Sequence, residues 1–387
     1  MWTNLKWAVL MMALCWVMGG VSICSAAGAA KLPDLIIFTS YDVGTSTYMQ
    51  TACMADGITK KTGMKVRVLP SGNDMSRILP LRSKTAHFAT TSAPSCFAGM
   101  NGFWDFAKYD WGPQAFRQVL SVIDYDQGIV IGTAASANIK TLKDLKGKRL
   151  TWIPGGPALN SAMEATLAFA GLTWNDVIKV PAPSLGTSMK FLGEGKADAA
   201  WSSTTSPVMF EVERSPHGVY WPEYPPEDKA GWERLHKIAP YFIPTNATKG
   251  VGVSKTKPRK LATYAYPIII AYDTADENTV YEVTKAIDVS FDLSKRCHDV
   301  MPCWEFKKAI NLKSMLLPYH PGTIRYLKEK GLWSKEMEKR QNQLIQEQTS
   351  MKKLWDAIII EAKTKNIDCN KNTLPTDTPL VALSVFH

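Results

Sequence analysis

The sequence predicts an α/β chain folded as two lobes around a shared cleft. Strand-like and helix-like segments alternate from residue 35 onward, as in largely parallel sheets covered by helices. Four strands also end in Ser/Thr/Gly-rich turns that open helices. These are Leu35–Thr39 into Ser40–Ser46, His87–Thr91 into Ser92–Ser95, Leu150–Ile153 into Pro154–Pro157, and Ala199–Trp201 into Ser202–Pro207. At such carboxyl ends ligands collect, and free helix N–H groups favour anionic or strongly polar guests. Two turns fall early in the chain and two later, which gives the cleft two walls.

The first 29 residues read as a cleavable export signal. Lys6 is the basic n-region, Trp7–Met18 is an apolar run too short for a comfortable membrane span, and Ser25–Ala29 offers small residues for cleavage. Lipid anchoring at Cys24 is the weaker alternative, because bulky Ile23 precedes that cysteine. Export is therefore expected. The remaining length suits two domains.

The elements follow in order. Leu35–Thr39 is a strand, Thr47–Lys61 a helix stopped by Thr62-Gly63, and Lys65–Leu69 a strand. Met75–Arg82 is a helix and His87–Thr91 a strand. An aromatic connection over 103–116 leads to strands Val119–Ile123 and Gly128–Gly132, both expected in the first lobe. Thr141–Lys148 opens the second lobe with a short capped helix. There, Leu150–Ile153, a helix after Pro157, Val177–Val180, a helix near Thr187–Leu192 and Asp198–Trp201 form a βαβαβ series. Beyond a Pro- and Trp-rich stretch (Tyr220–Tyr241), Ala265–Tyr272 is a strand and Thr279–Asp292 an amphipathic helix. A long helix, Lys335–Lys363, is expected to pack on the first lobe. The expected division is a first lobe of 30–136 with 256–387 and a second, inserted lobe of 137–255. Two crossovers, near 133–140 and 243–262, would make the hinge.

Composition narrows the function. The net charge is +10, but the lysines are scattered among acids, and no basic run is interleaved with aromatics. A solvated basic surface fits better than nucleic-acid binding. The motifs of serine hydrolases, zinc proteases, P-loop enzymes and dinucleotide-binding domains are absent. No catalytic residue, cofactor or metal is expected. His320 reads as a turn histidine; Asp42 and Asp198 stand at strand ends as a conceivable carboxylate pair, but Asp198 reads better as a turn residue before a strand, and no acid/base role is assigned to them. Cys297 and Cys303 can close a small disulfide loop, whereas Cys53 and Cys96 read as buried small hydrophobes. Trp152 and Trp201, near strand ends beside the second-lobe turns, could form a flat wall for a ligand.

Several segments resemble one known family, the TAXI-type solute receptors of tripartite ATP-independent periplasmic (TRAP) transporters. They are Gly44–Met49 through Thr62-Gly63 to Leu81–Ala89, then Thr141–Arg149 and Gly193–Ala200. The most specific is Tyr319-His320-Pro321-Gly322-Thr323-Ile324-Arg325-Tyr326-Leu327-Lys328-Glu329-Lys330-Gly331-Leu332. The resemblance implies a bilobed periplasmic-binding-protein fold, type II-like, with two mostly parallel lobes and a two-strand hinge. It implies a receptor that closes on a small carboxylate and delivers it to an ion-driven membrane permease, without catalysis. By position, the ligand contacts would come from Gly44, Thr45, Ser46, Thr47, Thr91 and Ser92 on one wall. The other wall would supply Gly155, Gly156, Ala158, Leu159, Asn160, Thr204 and Thr205. On that basis Thr45→Val or Thr204→Val should weaken ligand binding with little loss of stability. The family's second-lobe turn resembles Gly-Ser-Gly-Thr, but this chain has Gly155-Gly156-Pro157-Ala158. Pro157 lacks an N–H donor, which points to a bulkier or more apolar ligand than glutamate.

Overall fold

The computed structural model describes residues 32–108 and 111–368. The expected export signal, Cys24 and Cys369 lie outside these residues. Two five-stranded mixed sheets organise the described chain.

The first sheet has the order β2-β1-β3-β12-β4. It contains β1 (Ile36–Tyr41), β2 (Val66–Ser71), β3 (Phe88–Thr91), β4 (Phe116–Ser121) and β12 (Ile268–Tyr272). β1 pairs in parallel with β2 and β3, while β12 runs antiparallel between β3 and β4. The second sheet has the order β7-β6-β8-β5-β9, from β5 (Ile129–Ala134), β6 (Arg149–Trp152), β7 (Ile178–Pro181), β8 (Ala199–Ser203) and β9 (Val219–Tyr220). β6 is parallel to β7 and β8, and β5 is the reversed strand. The strand expected at Gly128–Gly132 therefore pairs in the second sheet, not the first. β5 follows the passage out of the first sheet through 122–128, and β12 follows the return through 264–267. β10 (Ile243–Ala247) and β11 (Arg259–Thr263) form a separate antiparallel ribbon.

Local sequence sets the helix ends. α1 (Ser46–Thr62) is capped by Thr45, whose Oγ1 accepts from the Tyr48 N–H, and ends at Gly63 (φ 75°), whose N–H reaches Thr59 O. α2 (Asp74–Arg82) opens with an Asn73/Ser76 capping box, and α3 (Ala93–Asn101) follows β3. In the second lobe α4 (Pro157–Phe169) and α6 (Pro207–Arg214) each carry proline in the first turn, and Ser184 caps α5 (Leu185–Gly193) between them. α7 (Lys229–Ile238) lies in the Trp/Pro-rich stretch. α8 (Glu277–Ser294), α9 (Phe306–Ala309), α10 (Pro321–Glu329) and α11 (Lys335–Thr364) complete the chain. As expected, α11 lies on the first lobe: Gln341 bonds both the N–H and the carbonyl of Tyr319, and Gln348 accepts from Arg117 (2.5 Å).

One apolar core joins Phe38, Phe88, Leu120 and Ile269 of the first sheet to Met54, Val283, Leu327 and Leu344 of the surrounding helices. A second core fills the second lobe and continues into Tyr41, Ile78 and Phe116 of the first. The lobes thus share buried apolar surface.

The disulfide differs from expectation. Cys53 on α1 is bonded to Cys297, with Cα atoms 6.0 Å apart, and Cys303 is free. After α8 the chain makes successive tight turns, Cys297 N to Ser294 O and Met301 N to His298 O. They present Cys297 to α1 and carry Cys303 elsewhere. Cys96, as expected, is a buried free thiol.

His320 is the N-cap of α10, and its Nδ1 accepts from the Gly322 N–H (3.2 Å). Burial pushes its pKa down to about 4. In the unfolded chain it titrates near its ordinary value of about 6.5, so acidification protonates the unfolded state first. Its contribution to stability is complete above that pH and is lost as pH falls toward 4. Burial lowers His87 and His298 in the same direction. A His320→Gln variant should therefore show a flatter loss of stability between pH 6.5 and 4 in urea titrations; a profile parallel to wild type would contradict this role.

Candidate functional site

The carboxyl ends of β1, β3 and β8 and the helix starts that follow β6, β7 and β8 face one another across the inter-lobe cleft. Three second-lobe helices point their first N–H groups at the first lobe, where each finds an acceptor. Ala158 N at the start of α4 donates to Asp74 Oδ2 (3.0 Å). At the start of α5, Gly186 N donates to both Asp42 oxygens (3.1 Å each) and Leu185 N to Gly72 O (3.1 Å). Val208 N in α6 donates to Gly44 O (3.2 Å). Asn73 Nδ2 reaches Pro154 O (3.1 Å), Met75 N reaches Gly155 O (3.1 Å), and Ser46 Oγ lies 3.1 Å from Thr205 Oγ1. The cleft is closed by its own backbone and side chains.

Behind the first wall lies a fully buried ion pair, Asp74–Arg77, both 0% exposed. Asp74 Oδ1 accepts from Arg77 and from Ser95 Oγ (2.9 Å). The same Arg77 Nη2 also reaches Thr91 Oγ1 (3.1 Å), and the guanidinium lies 3.6 Å over the Tyr41 ring. Burying both charges is sustainable because each keeps charge-assisted hydrogen bonds.

A cavity of about 10 Å³, room for about one water, lies between the walls. Tyr41, Tyr264, Tyr266, Trp201, Leu159 and Met189 line it together with the Ser202, Ser203 and Ser206 hydroxyl groups. Trp201 Nε1 donates to Tyr264 OH (3.3 Å), and their rings are parallel. Burial pushes the Tyr41 and Tyr264 phenols up, and that of Tyr266 up to about 12, so all three stay protonated donors.

The residues expected to contact a ligand divide into groups. Leu159 and Trp201 line the cavity. Ser92 Oγ meets Tyr41 OH (3.2 Å), Thr91 serves Arg77, and buried Thr47 lies beside Tyr266. Gly44, Ser46, Gly155, Ala158 and Thr205 form the inter-lobe contacts, and Gly156 is the N-cap of α4. Asn160 clamps its own lobe, bonding both the N–H and the carbonyl of Ile153. Trp152 is on the lobe's flank, edge-on to Trp174 (5.1 Å) and beneath Lys179 Nζ (4.5 Å), so it forms no wall of the cavity. Asp42 and Asp198 are no pair, since Asp198 binds Arg149 (2.7 Å).

Thr45 and Thr204 have structural work. Thr45 caps α1 and donates to Asp42 O (2.8 Å). Thr204 Oγ1 accepts from Gly128 N (3.1 Å) and donates to Lys249 O (2.7 Å), joining the crossover to β8. Thr204→Val should therefore cost the fold about 1–3 kcal/mol by leaving two backbone groups unpaired. Urea denaturation checks this, and a midpoint equal to wild type would contradict it.

Asp74, Arg77, Tyr41, Tyr264 and Tyr266 carry most of the cleft's character and were not among the expected contacts. Asp74 and Arg77 sit three positions apart in an Asp-x-x-Arg step, a spacing that places them on one helix face.

A family model described as NMT1-like matches residues 43–331, well over half of the chain. The chain belongs to the NMT1-like family. Comparison with curated proteins finds no match. Among solved structures, a protein from Bordetella bronchiseptica RB50 is 14% identical, with 78% of this chain and 90% of that one covered (TM-score 0.46). PhnD1 from Prochlorococcus marinus (MIT 9301), in complex with methylphosphonate, is 13% identical over 78% and 97% (TM-score 0.43). An ancestral arginine-binding protein bound to arginine is 14% identical over 70% and 100% (TM-score 0.41). At these scores the fold of this NMT1-like chain rests on its own strand orders and registers.

Among the described residues, no helix is long and apolar enough to cross a membrane. No group of three or more His, Cys, Asp or Glu among them could hold a metal ion.

Proposed function

We propose that this chain is an exported solute receptor of a transport system, working in the periplasm by opening and closing two lobes on one small molecule. The observation that carries the reading is the aromatic and hydroxyl-lined cavity, enclosed by the starts of three helices from one lobe and their acceptors on the other. Burial between two walls gives affinity, a few fixed polar groups give selectivity, and no reaction is needed. The cavity holds about one water, so a solute enters only when the sheets separate about 122–128 and 264–267. Hinge closure of this kind is an established response to ligand.

The partner in this reading is the membrane permease of a TRAP transporter. Its support is the resemblance over Tyr319–Leu332, which begins the exposed-and-buried helix α10. A catalytic reading has less support, because His320 is engaged as a helix cap and Asp42 as an acceptor for Gly186. Small-angle scattering on the chain with and without a solute recovered from its native source should give different radii of gyration. Superimposable profiles would contradict lobe movement.

A further inference from the structure

This inference rests on the solute-receptor reading and concerns what that receptor accepts. In a two-lobed cleft, the helix starts and a buried cation are the natural seat for an anionic ligand group. Here the seat is filled from within. Asp74 projects from the first turn of α2, takes the Ala158 N–H at the start of α4, and neutralises Arg77. Asp42 does the same at the start of α5, through Gly186. The fixed charges facing this region are thus two carboxylates and one guanidinium. The remaining ionisable neighbours of Asp74, the phenols of Tyr41 and Tyr241 and the Cys96 thiol, are held neutral by burial. A ligand carboxylate or phosphate would add a further negative charge to a desolvated site that already carries an excess of one, which low dielectric penalises heavily. The surfaces left to a ligand are neutral: aromatic faces and the hydroxyl groups of Ser202, Ser203 and Ser206.

We infer that Asp74 is a built-in occupant of the anion seat, so that the cleft selects a solute whose buried part is uncharged or cationic and rejects carboxylates and phosphates. This reverses the sequence-based expectation of a carboxylate ligand. Asp74 acts as a specificity residue, by filling the position an anionic group would otherwise take.

Chemical rescue tests the seat without knowing the solute. In Asp74→Ala the atoms removed are those of formate. Formate should bind this variant at least about tenfold more tightly than wild type and raise its Tm by the linked amount. Formamide, and chloride at equal ionic strength, should not. Asp74→Ser also removes the carboxylate and opens the seat while keeping a polar side chain. Should the alanine variant fail to fold, the serine variant should show a larger Tm response to formate than wild type does. The wild-type arm needs no variant: succinate, L-glutamate and inorganic phosphate should raise its Tm no more than sodium chloride of equal ionic strength. Formate that fails to distinguish the variants from wild type would overturn the proposal, as would specific binding of any of the three anions to wild type. Failure of the receptor reading would appear separately, as a native chain that carries no small molecule.

Discussion

Arg77→Met should destabilise the chain by about 3–5 kcal/mol, because it strands a buried carboxylate. Asp74 would keep its bonds to Ser95 Oγ and Ala158 N, but no positive charge would remain beside it at 0% exposure. The methionine fills the aliphatic volume and rests on Tyr41, so packing loss is a small part of the effect. The double variant Arg77→Met/Asp74→Asn should recover much of the loss, since the charge that required compensation has gone. A double-mutant cycle by urea denaturation measures this coupling. Strictly additive effects would show that the pair does not act as a unit. The same pair ties β1, α2, β3 and α4 together, so its loss should also loosen the lobe–lobe contact and raise amide exchange at Ala158 and Met75.

Breaking the Cys53–Cys297 bridge is expected to have an effect of similar size. The bridge links residues 244 positions apart, and cross-links that close long loops remove much denatured-state entropy, commonly worth about 2–5 kcal/mol. It fastens α1, which carries Ser46 and Thr47 at its start, to the end of α8. Cys53→Ser/Cys297→Ser should therefore lower Tm and make it insensitive to reductant, while wild type loses stability only when reduced. A wild-type Tm unchanged by complete reduction, with thiols counted to confirm it, would contradict a stabilising role. Cys303→Ser should leave the reductant response intact, which separates this pairing from the local loop that the sequence suggests.

The alternation of strands and helices was legible because period-two and period-3.6 patterns are local properties. Leu35–Thr39, His87–Thr91 and the long helix from Lys335 all fall where those patterns put them. The four turns were legible too, because Ser, Thr and Gly at strand ends cap helices and permit tight bends. Sheet membership was not. Gly128–Gly132 looks like any apolar strand, and nothing in its own residues tells which sheet it joins after the crossover. The Cys53–Cys297 pairing was hidden for the same reason, since a partner 244 positions away leaves no local trace while Cys303 stands six residues off. The Trp152 ring could not be aimed from sequence alone, and only the packing of Trp174 and Lys179 turns it to the flank. The largest omission was Asp74–Arg77. On a short helix of mixed composition, an acid and a base three apart read as a solvated face. Tertiary burial beneath α4 gives them their meaning.

The central claim is that the cavity between the two lobes receives one small molecule. Native mass spectrometry of the chain isolated under non-denaturing conditions from its own source tests it most directly, alongside a Leu159→Phe variant that fills the cavity. The account predicts a single small-molecule adduct on wild type that is lost from the filled variant. A bare wild-type mass, or an adduct that the filled variant retains unchanged, would contradict it.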